Sequence, residues 1–502
     1  MSKFNWPLID TRFLAVFASL VVSFLILFIE DAPNDDAYAY IRTAEIALTD
    51  GIGVAIQHYA WVSYSLLIAL VSQFGTDLLT AAYIINSLFY ALLIYSFVSI
   101  VRMIDDSNLV VILAALCILL YPQLNEFRFD VIRDVGYWAL SLFALWQFLI
   151  FFKTHQNKNL ITFGLALLFA ASFRPEAIVY LITTPFALLM DKSVEVNERR
   201  RYFAKATGLM LGIILFSFVV LAVMGFSVTA LLTDFVSVYE PFISSTFNPS
   251  EADRSALSTA IFGEYAASYS GPYISLFLFI GLLAVLIVKL FSGVGGPFFW
   301  LLVYGGYKRS VKVEPNAYLP IVFFLVTNVV IVFMFILITR YVSSRYAMLF
   351  CLLLVLFVPI VIAKIIQKLN QSAIRNIGMR VVILFFGYCA FDSFISFGQS
   401  KTFVFDSVDW IAAQSASNSG LLTNNHAVAY YSGKVEDYDQ IIRFLTESEI
   451  QNTTPNDLIA IEMHFEMSEL VESASIKPLL EFQAAFPSID DQQLAIYKRV
   501  NP

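Results

Sequence analysis

Residues 11–42 read TRFLAVFASLVVSFLILFIEDAPNDDAYAYIR. From Phe13 to Phe28 no side chain carries a charge, and Lys3 and Arg12 stand before the run. A helix rising about 1.5 Å per residue needs roughly 20 such residues to cross the hydrocarbon layer. Acids follow at once (Glu30, Asp31, Asp35, Asp36), with no small-residue cleavage pattern between. The run therefore reads as a retained first membrane span.

The rest of the chain repeats this pattern. Of 502 residues, 59% are hydrophobic and 14% charged, and mean hydropathy is +0.74. That is too little charge to cover a soluble surface of this size. The expected spans lie at 12–30, 78–101, 108–122, 134–152, 160–173, 176–190, 206–226, 272–291, 318–339, 344–363 and 380–397. The chain is thus expected to be an α-helical polytopic membrane protein with about eleven transmembrane helices. Segment 61–74 is short and reads as interfacial. Segment 292–306 is rich in Gly and reads as re-entrant or spanning.

Charge orients the threading. With the N-terminus in the cytoplasm, 18 of the 25 Lys and Arg before residue 398 fall on the cytoplasmic side. Seven fall outside, against sixteen Asp and Glu. This is the asymmetry of the positive-inside rule. Counting 61–74 as a span would reverse every later loop and destroy it. The remaining residues, 398–502, mix polar and apolar positions and hold 15 acidic and 6 basic residues. Gly420–Thr423 and Leu458–Glu462 read as strands, and Ser407–Ala416 and Tyr438–Thr446 as helices. The division is therefore a transmembrane domain, 1–397, with a first outer loop at 31–77, and a small α/β domain, 398–502, outside the membrane.

Cys117, Cys351 and Cys389 all lie in apolar runs and read as core residues. The four histidines are scattered without metal-binding spacing. Nothing in the composition points to nucleic acid.

The threading brings four charged clusters to the outer face. The first loop holds Asn34-Asp35-Asp36-Ala37-Tyr38, then Arg42 and Glu45. Asn34 suits a helix N-cap, and acids suit a first turn, which alone would account for Asp35 and Asp36. A carboxylate at the membrane surface is also able to take a proton from a hydroxyl or amine. The second cluster, Arg128-Phe129-Asp130-Val131-Ile132-Arg133-Asp134, opens a span, where charges are costly unless paired or functional. The third is Arg174-Pro175-Glu176, either a helix break with a surface ion pair or part of a site. The fourth, Arg340-Tyr341-Val342-Ser343-Ser344-Arg345-Tyr346, reads as an interfacial anchor or as an anion-binding turn. All seven outer basic residues are Arg, whereas the cytoplasmic loops mix ten Lys with eight Arg. The guanidinium fork suits phosphate, although pairing with nearby acids is the plainer explanation.

In this order the motifs resemble the GT-C superfamily of lipid-linked-sugar glycosyltransferases. The branch containing protein O-mannosyltransferases and the bacterial aminoarabinose transferase of lipid A is the most similar. The resemblance rests on Asp35-Asp36-Ala37-Tyr38, the apolar stretch Trp61–Phe74, Arg133-Asp134, Arg174-Pro175-Glu176, Arg340…Arg345-Tyr346, and the tail phrase Leu421-Leu422-Thr423-Asn424-Asn425. It implies a transferase moving a sugar from a polyprenyl-phosphate donor to a glycolipid, glycan or protein acceptor, in a bacterial inner membrane, with the C-terminal domain periplasmic. By position it implies Asp35 as the catalytic carboxylate, with Asp36 and Asp134 as further acids. Arg133, Arg174, Glu176, Arg340, Arg345 and Tyr346 would bind substrate. A divalent metal would bridge Asp35 and the phosphate, though the sequence does not demand one. His58-Tyr59-Ala60-Trp61 departs from the proline-rich signature of many relatives.

Two other functions stay open at this level. A lipid-linked-sugar transporter or flippase would place ionisable groups at mid-membrane, where Asp392 is the chief candidate. An O-antigen polymerase or ligase also joins glycans outside, without needing the Asp35-Asp36 loop.

Overall fold

The structure, a computed structural model, describes residues 10–28, 31–223, 250–309, 315–370, 375–395, 401–414 and 420–501, with isolated positions between 227 and 243. The ends of the spans expected at 12–30, 206–226 and 380–397 lie outside these residues. The chain divides into two compact units. One comprises Met1–Val21, Ser87–Glu126 and Arg133–Ile395; the other comprises Val22–Asn86, Phe127–Ile132 and Ser396–Pro502.

Among the described residues, seven helices are long and apolar enough to cross a membrane: Leu78–Ile104, Asp134–Thr154, Val196–Val223, Glu251–Ser292, Ala317–Thr339, Ser344–Leu369 and Ile377–Phe394. The protein is a multi-pass membrane protein. The expected eleven spans exceed this number because several apolar runs form shorter helices, such as Thr11–Ile26, Asn108–Leu119 and Asn157–Phe173. The run at 176–190 is interrupted. Helix Ala177–Thr183 gives way to a 3-10 turn, Thr184–Phe186, and then to Ala187–Met190. Pro185 sits at the break, where it removes a backbone donor. Likewise the run from Ser344 breaks after Val355 and resumes at Val358 beside Pro359, a position near a helix start that proline favours. Segment 292–306 contributes helix Gly296–Tyr307, entered through Gly295 at φ 80°.

Helix Asp134–Thr154 is central to the first unit. Its apolar window is 83% buried, against 11% for Val196–Val223 and 17% for Ile377–Phe394. Trp138, Phe148, Phe151 and Phe152 are fully enclosed. By contrast Phe216 and Leu215 on Val196–Val223 are more than half exposed, as suits a face against lipid. Inside lipid, helices associate through close packing rather than loss of water. Gly136 provides such an approach: a Cβ there would sit 3.1 Å from Phe89 and 3.3 Å from Phe173.

The second unit contains a four-stranded sheet in the order β1-β2-β4-β3. The strands are β1 (Leu421–Thr423), β2 (Leu458–Glu462), β3 (Leu480–Pro487) and β4 (Gln492–Arg499). β1 runs parallel to β2, whereas β4 is antiparallel to both β2 and β3. The α/β character expected of the tail is thus present. Alternation along the central strands divides the core in two. Leu458, Ala460, Leu494 and Ile496 join one cluster, and Ile459, Ile461, Ala495 and Tyr497 the other. The first cluster also takes in Ala32 and Tyr38 from the first loop. The helix expected at Tyr438–Thr446 does not form; that stretch is turns and bends, and the next helix is Glu447–Asn452. Its start at Glu447 is fixed by a capping box between Thr446 and Glu449, which the pattern of apolar residues does not reveal.

Gly136→Val should lower the melting temperature of the purified protein, because overpacking at such a contact costs about 1–3 kcal/mol. Gly208→Ala, whose Cβ would meet nothing within 4 Å, should leave it unchanged or raise it slightly. Equal melting of the two variants would contradict the close approach at Gly136.

Candidate active site

Arg174 ends helix Asn157–Phe173 in an extended conformation, φ −144° and ψ 114°. Pro175 enforces this, since the residue before proline is driven out of the helical region. The side chain is then gripped by two carboxylates. Nη1 donates to Asp134 Oδ1 at 2.5 Å, and Nη2 donates to Glu176 Oε1 at 2.8 Å. Nε completes a fork on Glu176 at 3.4 Å. The guanidinium lies 4.2 Å over the ring of Tyr346 and 5.7 Å from that of Tyr137. Arg174 is 9% exposed and Asp134 2%. Burial alone would lower the arginine's pKa, but Glu176 and Asp134 more than offset it and hold it above its usual range. Asp134 also opens helix Asp134–Thr154, where the helix dipole favours negative charge.

Four of the candidates expected from sequence therefore meet in one group: Asp134, Arg174, Glu176 and Tyr346. Arg133 occupies the N-cap position before Asp134. Arg345 is the second residue of helix Ser344–Val355 and lies 5.4 Å from the Tyr346 ring. Arg340 is exposed and follows helix Pro315–Thr339 with φ 56°, a left-handed cap that stops the helix. Tyr137 and Asn328 complete the wall around Arg174. Sequence reasoning missed both, because each lies within an apolar span and becomes polar lining only when the helices pack. The space they enclose with Arg174, Glu176 and Tyr346 is about 10 Å³, room for about one water. That space is too tight to hold a sugar.

The other two candidate acids, Asp35 and Asp36, lie in the second unit. Asp36 begins helix Asp36–Thr49 and Asp35 holds its N-cap position, without a side-chain cap bond. Asn34 is not the cap that the sequence suggested. Its Oδ1 instead accepts the Val131 N–H at 2.7 Å, tying the loop to segment 127–132. In the same unit Asn86 Nδ2 donates to the Asp130 carbonyl at 3.1 Å. Asp35 is exposed, while Tyr38, three residues on, is fully buried. The Asp35 carboxylate is thus at the surface, while the Tyr38 ring enters the core of the unit. Tyr38 stacks on His426 with centroids 6.0 Å apart and packs against Tyr430 and Tyr438.

Further along the loop, Tyr438 Oη donates to Glu45 at 2.8 Å, and His58 Nε2 lies 2.7 Å from Asp439 Oδ2. Burial, followed by the bond to Glu45, pushes the Tyr438 phenol above its ordinary pKa. His58 thus serves to join loop and tail. Among the described residues no group of three or more His, Cys, Asp or Glu is placed to hold a metal ion. The donor set around Asp35 does not by itself fit one.

Arg174→Gln should destabilise the protein by about 3–5 kcal/mol, because it leaves buried carboxylates without their counter-charge. Adding Asp134→Asn to that variant should recover part of the loss. Thermal unfolding of the purified variants checks this, and an unchanged melting temperature for Arg174→Gln would contradict the assignment.

No protein-family model matches the sequence, and no curated protein matches it. Solved structures do. Archaeal oligosaccharyltransferase AglB from Archaeoglobus fulgidus, in complex with an inhibitory peptide and a dolichol-phosphate, is 12% identical. It has a TM-score of 0.52, with 98% of this chain and 74% of that one covered. The apo oligosaccharyltransferase of Archaeoglobus fulgidus is 11% identical, at a TM-score of 0.53, with coverage of 100% and 75%. ArnT from Cupriavidus metallidurans in the apo state is 12% identical, at a TM-score of 0.42, with 98% of each chain covered. At such identities the likeness is one of architecture: this chain shares the fold of the Archaeoglobus fulgidus oligosaccharyltransferase.

Proposed function

We propose that the protein is a glycosyltransferase that moves a sugar from a polyprenyl-phosphate donor to a hydroxyl- or amine-bearing acceptor outside the inner membrane. The contrast between its acids carries this reading. Asp134 and Glu176 are engaged by Arg174, whereas Asp35 is exposed, at the first turn of a helix whose inner face is buried in the core of its unit. A base must reach its proton and must be held still, and Asp35 meets both conditions. The shared fold supports the same conclusion, since one neighbour was solved with dolichol-phosphate. The Lys and Arg distribution supports a cytoplasmic N-terminus and an outward-facing C-terminal sheet.

In the proposed reaction the acceptor oxygen or nitrogen attacks the anomeric carbon. Its proton passes to Asp35. The bond from the anomeric carbon to the phosphate oxygen breaks, and its electron pair leaves with the polyprenyl phosphate. A single displacement inverts the anomeric centre. On the sequence resemblance alone, Arg345 and Arg340 are the candidates to offset charge growing on the leaving phosphate. Arg174, already neutralised by two carboxylates, acts as a positioning residue for Asp134.

Deleting the gene should remove a sugar-sized mass increment from cell-surface glycolipids or glycoproteins, and the wild-type gene should restore it. Asp35→Asn should restore it on the order of 10²–10⁴-fold less efficiently, with the variant present at normal abundance in the membrane. Full restoration by Asp35→Asn would sink the assignment.

A further inference from the structure

A cavity of about 370 Å³ lies in the second unit beside the first loop, within the size range of small-ligand pockets. Its polar wall carries Asp31, Asn34, Thr80, Asp130 and Lys401. Two carboxylates face one ammonium, so the charge of the cavity opposes a phosphate. Polar valences remain on this wall after the internal bonds are made. Asp31 Oδ1 accepts from the backbone N–H of Ala32 at 2.9 Å and of Lys401 at 3.0 Å, which leaves Oδ2 for a ligand. Asn34 Oδ1 is occupied by Val131, which leaves its two Nδ2 hydrogens. Thr80, whose hydroxyl donates to Asp77, adds an acceptor oxygen.

The remaining wall includes the aromatic residues Phe129, Phe405 and Tyr431. Planar carboxylate and carboxamide groups beside apolar rings match a sugar, whose hydroxyls need paired donors and acceptors and whose C–H face needs apolar cover. The backbone that lines this cavity at Asn34 continues directly into Asp35, about 3.8 Å away between Cα atoms.

We infer that this cavity binds a sugar ring of the acceptor, holding it next to the proposed base. The inference rests on the transferase reading for its role, but binding is measurable without transfer. Full-length protein in lipid nanodiscs is titrated with the methyl glycosides of glucose, galactose, mannose and arabinose, and separately with undecaprenyl phosphate, by saturation-transfer NMR. At least one glycoside should bind saturably. Asp31→Asn, whose amide oxygen still accepts the two backbone N–H groups, and Thr80→Trp, which fills the cavity, should each weaken it by roughly tenfold or more. Undecaprenyl phosphate should bind all three proteins alike. Asp35→Asn should keep the glycoside while losing transfer, so failure of the base assignment and failure of the cavity are told apart. The inference is overturned if no glycoside saturates, if both variants bind as tightly as wild type, or if the variants lose undecaprenyl phosphate instead.

Discussion

Arg174 sits between Asp134 and Glu176 with less than a tenth of its surface exposed. A guanidinium does not escape its charge by losing a proton, so burial obliges the protein to supply counter-charge. That requirement links the end of one helix, the start of the central helix and the turn after Pro175. Each element contributes for its own local reason. Proline forces the extended backbone at Arg174, and the helix dipole favours an acid at Asp134. Tyr346 covers the guanidinium from a fourth segment. The cluster is therefore both a structural joint and the place where an acid at the mouth of a span is held in one orientation.

A different logic governs the first loop. Asp35 is exposed, yet the helix that follows it is not loose. Tyr38 lies in the same apolar cluster as Leu458 and Ile496 of the sheet. Glu45 and His58 each bond to the segment at Tyr438 and Asp439. Asn34 anchors the chain just before the acid pair. Reactive groups are more accurately placed on a rigid element than on a free loop. Here a surface segment obtains that rigidity from residues nearly 400 positions away.

The hydrophobic runs and the early acid pair were legible in the chain, because each depends on local composition. The strand character of Leu421–Thr423 and Leu458–Glu462 was legible for the same reason. β3 and β4 were not. β3 is largely surface-exposed along its length, and its pairing with β4 is what declares it a strand. Asn34 was read as a cap, a reasonable local inference, but a carboxamide beside a helix start takes whichever donor packing brings to it. The backbone N–H of Val131 lies 97 residues away in sequence. The helix breaks at Pro185 and after Val355 were not legible either, since hydropathy treats those runs as continuous.

The acid at residue 35 and the arginines at 174, 340 and 345 were thus visible as candidates, but their roles were not. Sequence by itself determined that this is a membrane protein with charged clusters at the ends of its spans, because transfer of side chains between water and hydrocarbon depends on composition. Only tertiary structure decided that Arg174 is engaged by two carboxylates, that Asp35 is exposed above a buried Tyr38, and that Asp31, Asn34 and Asp130 line a common cavity. Those facts depend on which distant groups satisfy one another's charge and hydrogen bonds, and no periodicity along the chain encodes them.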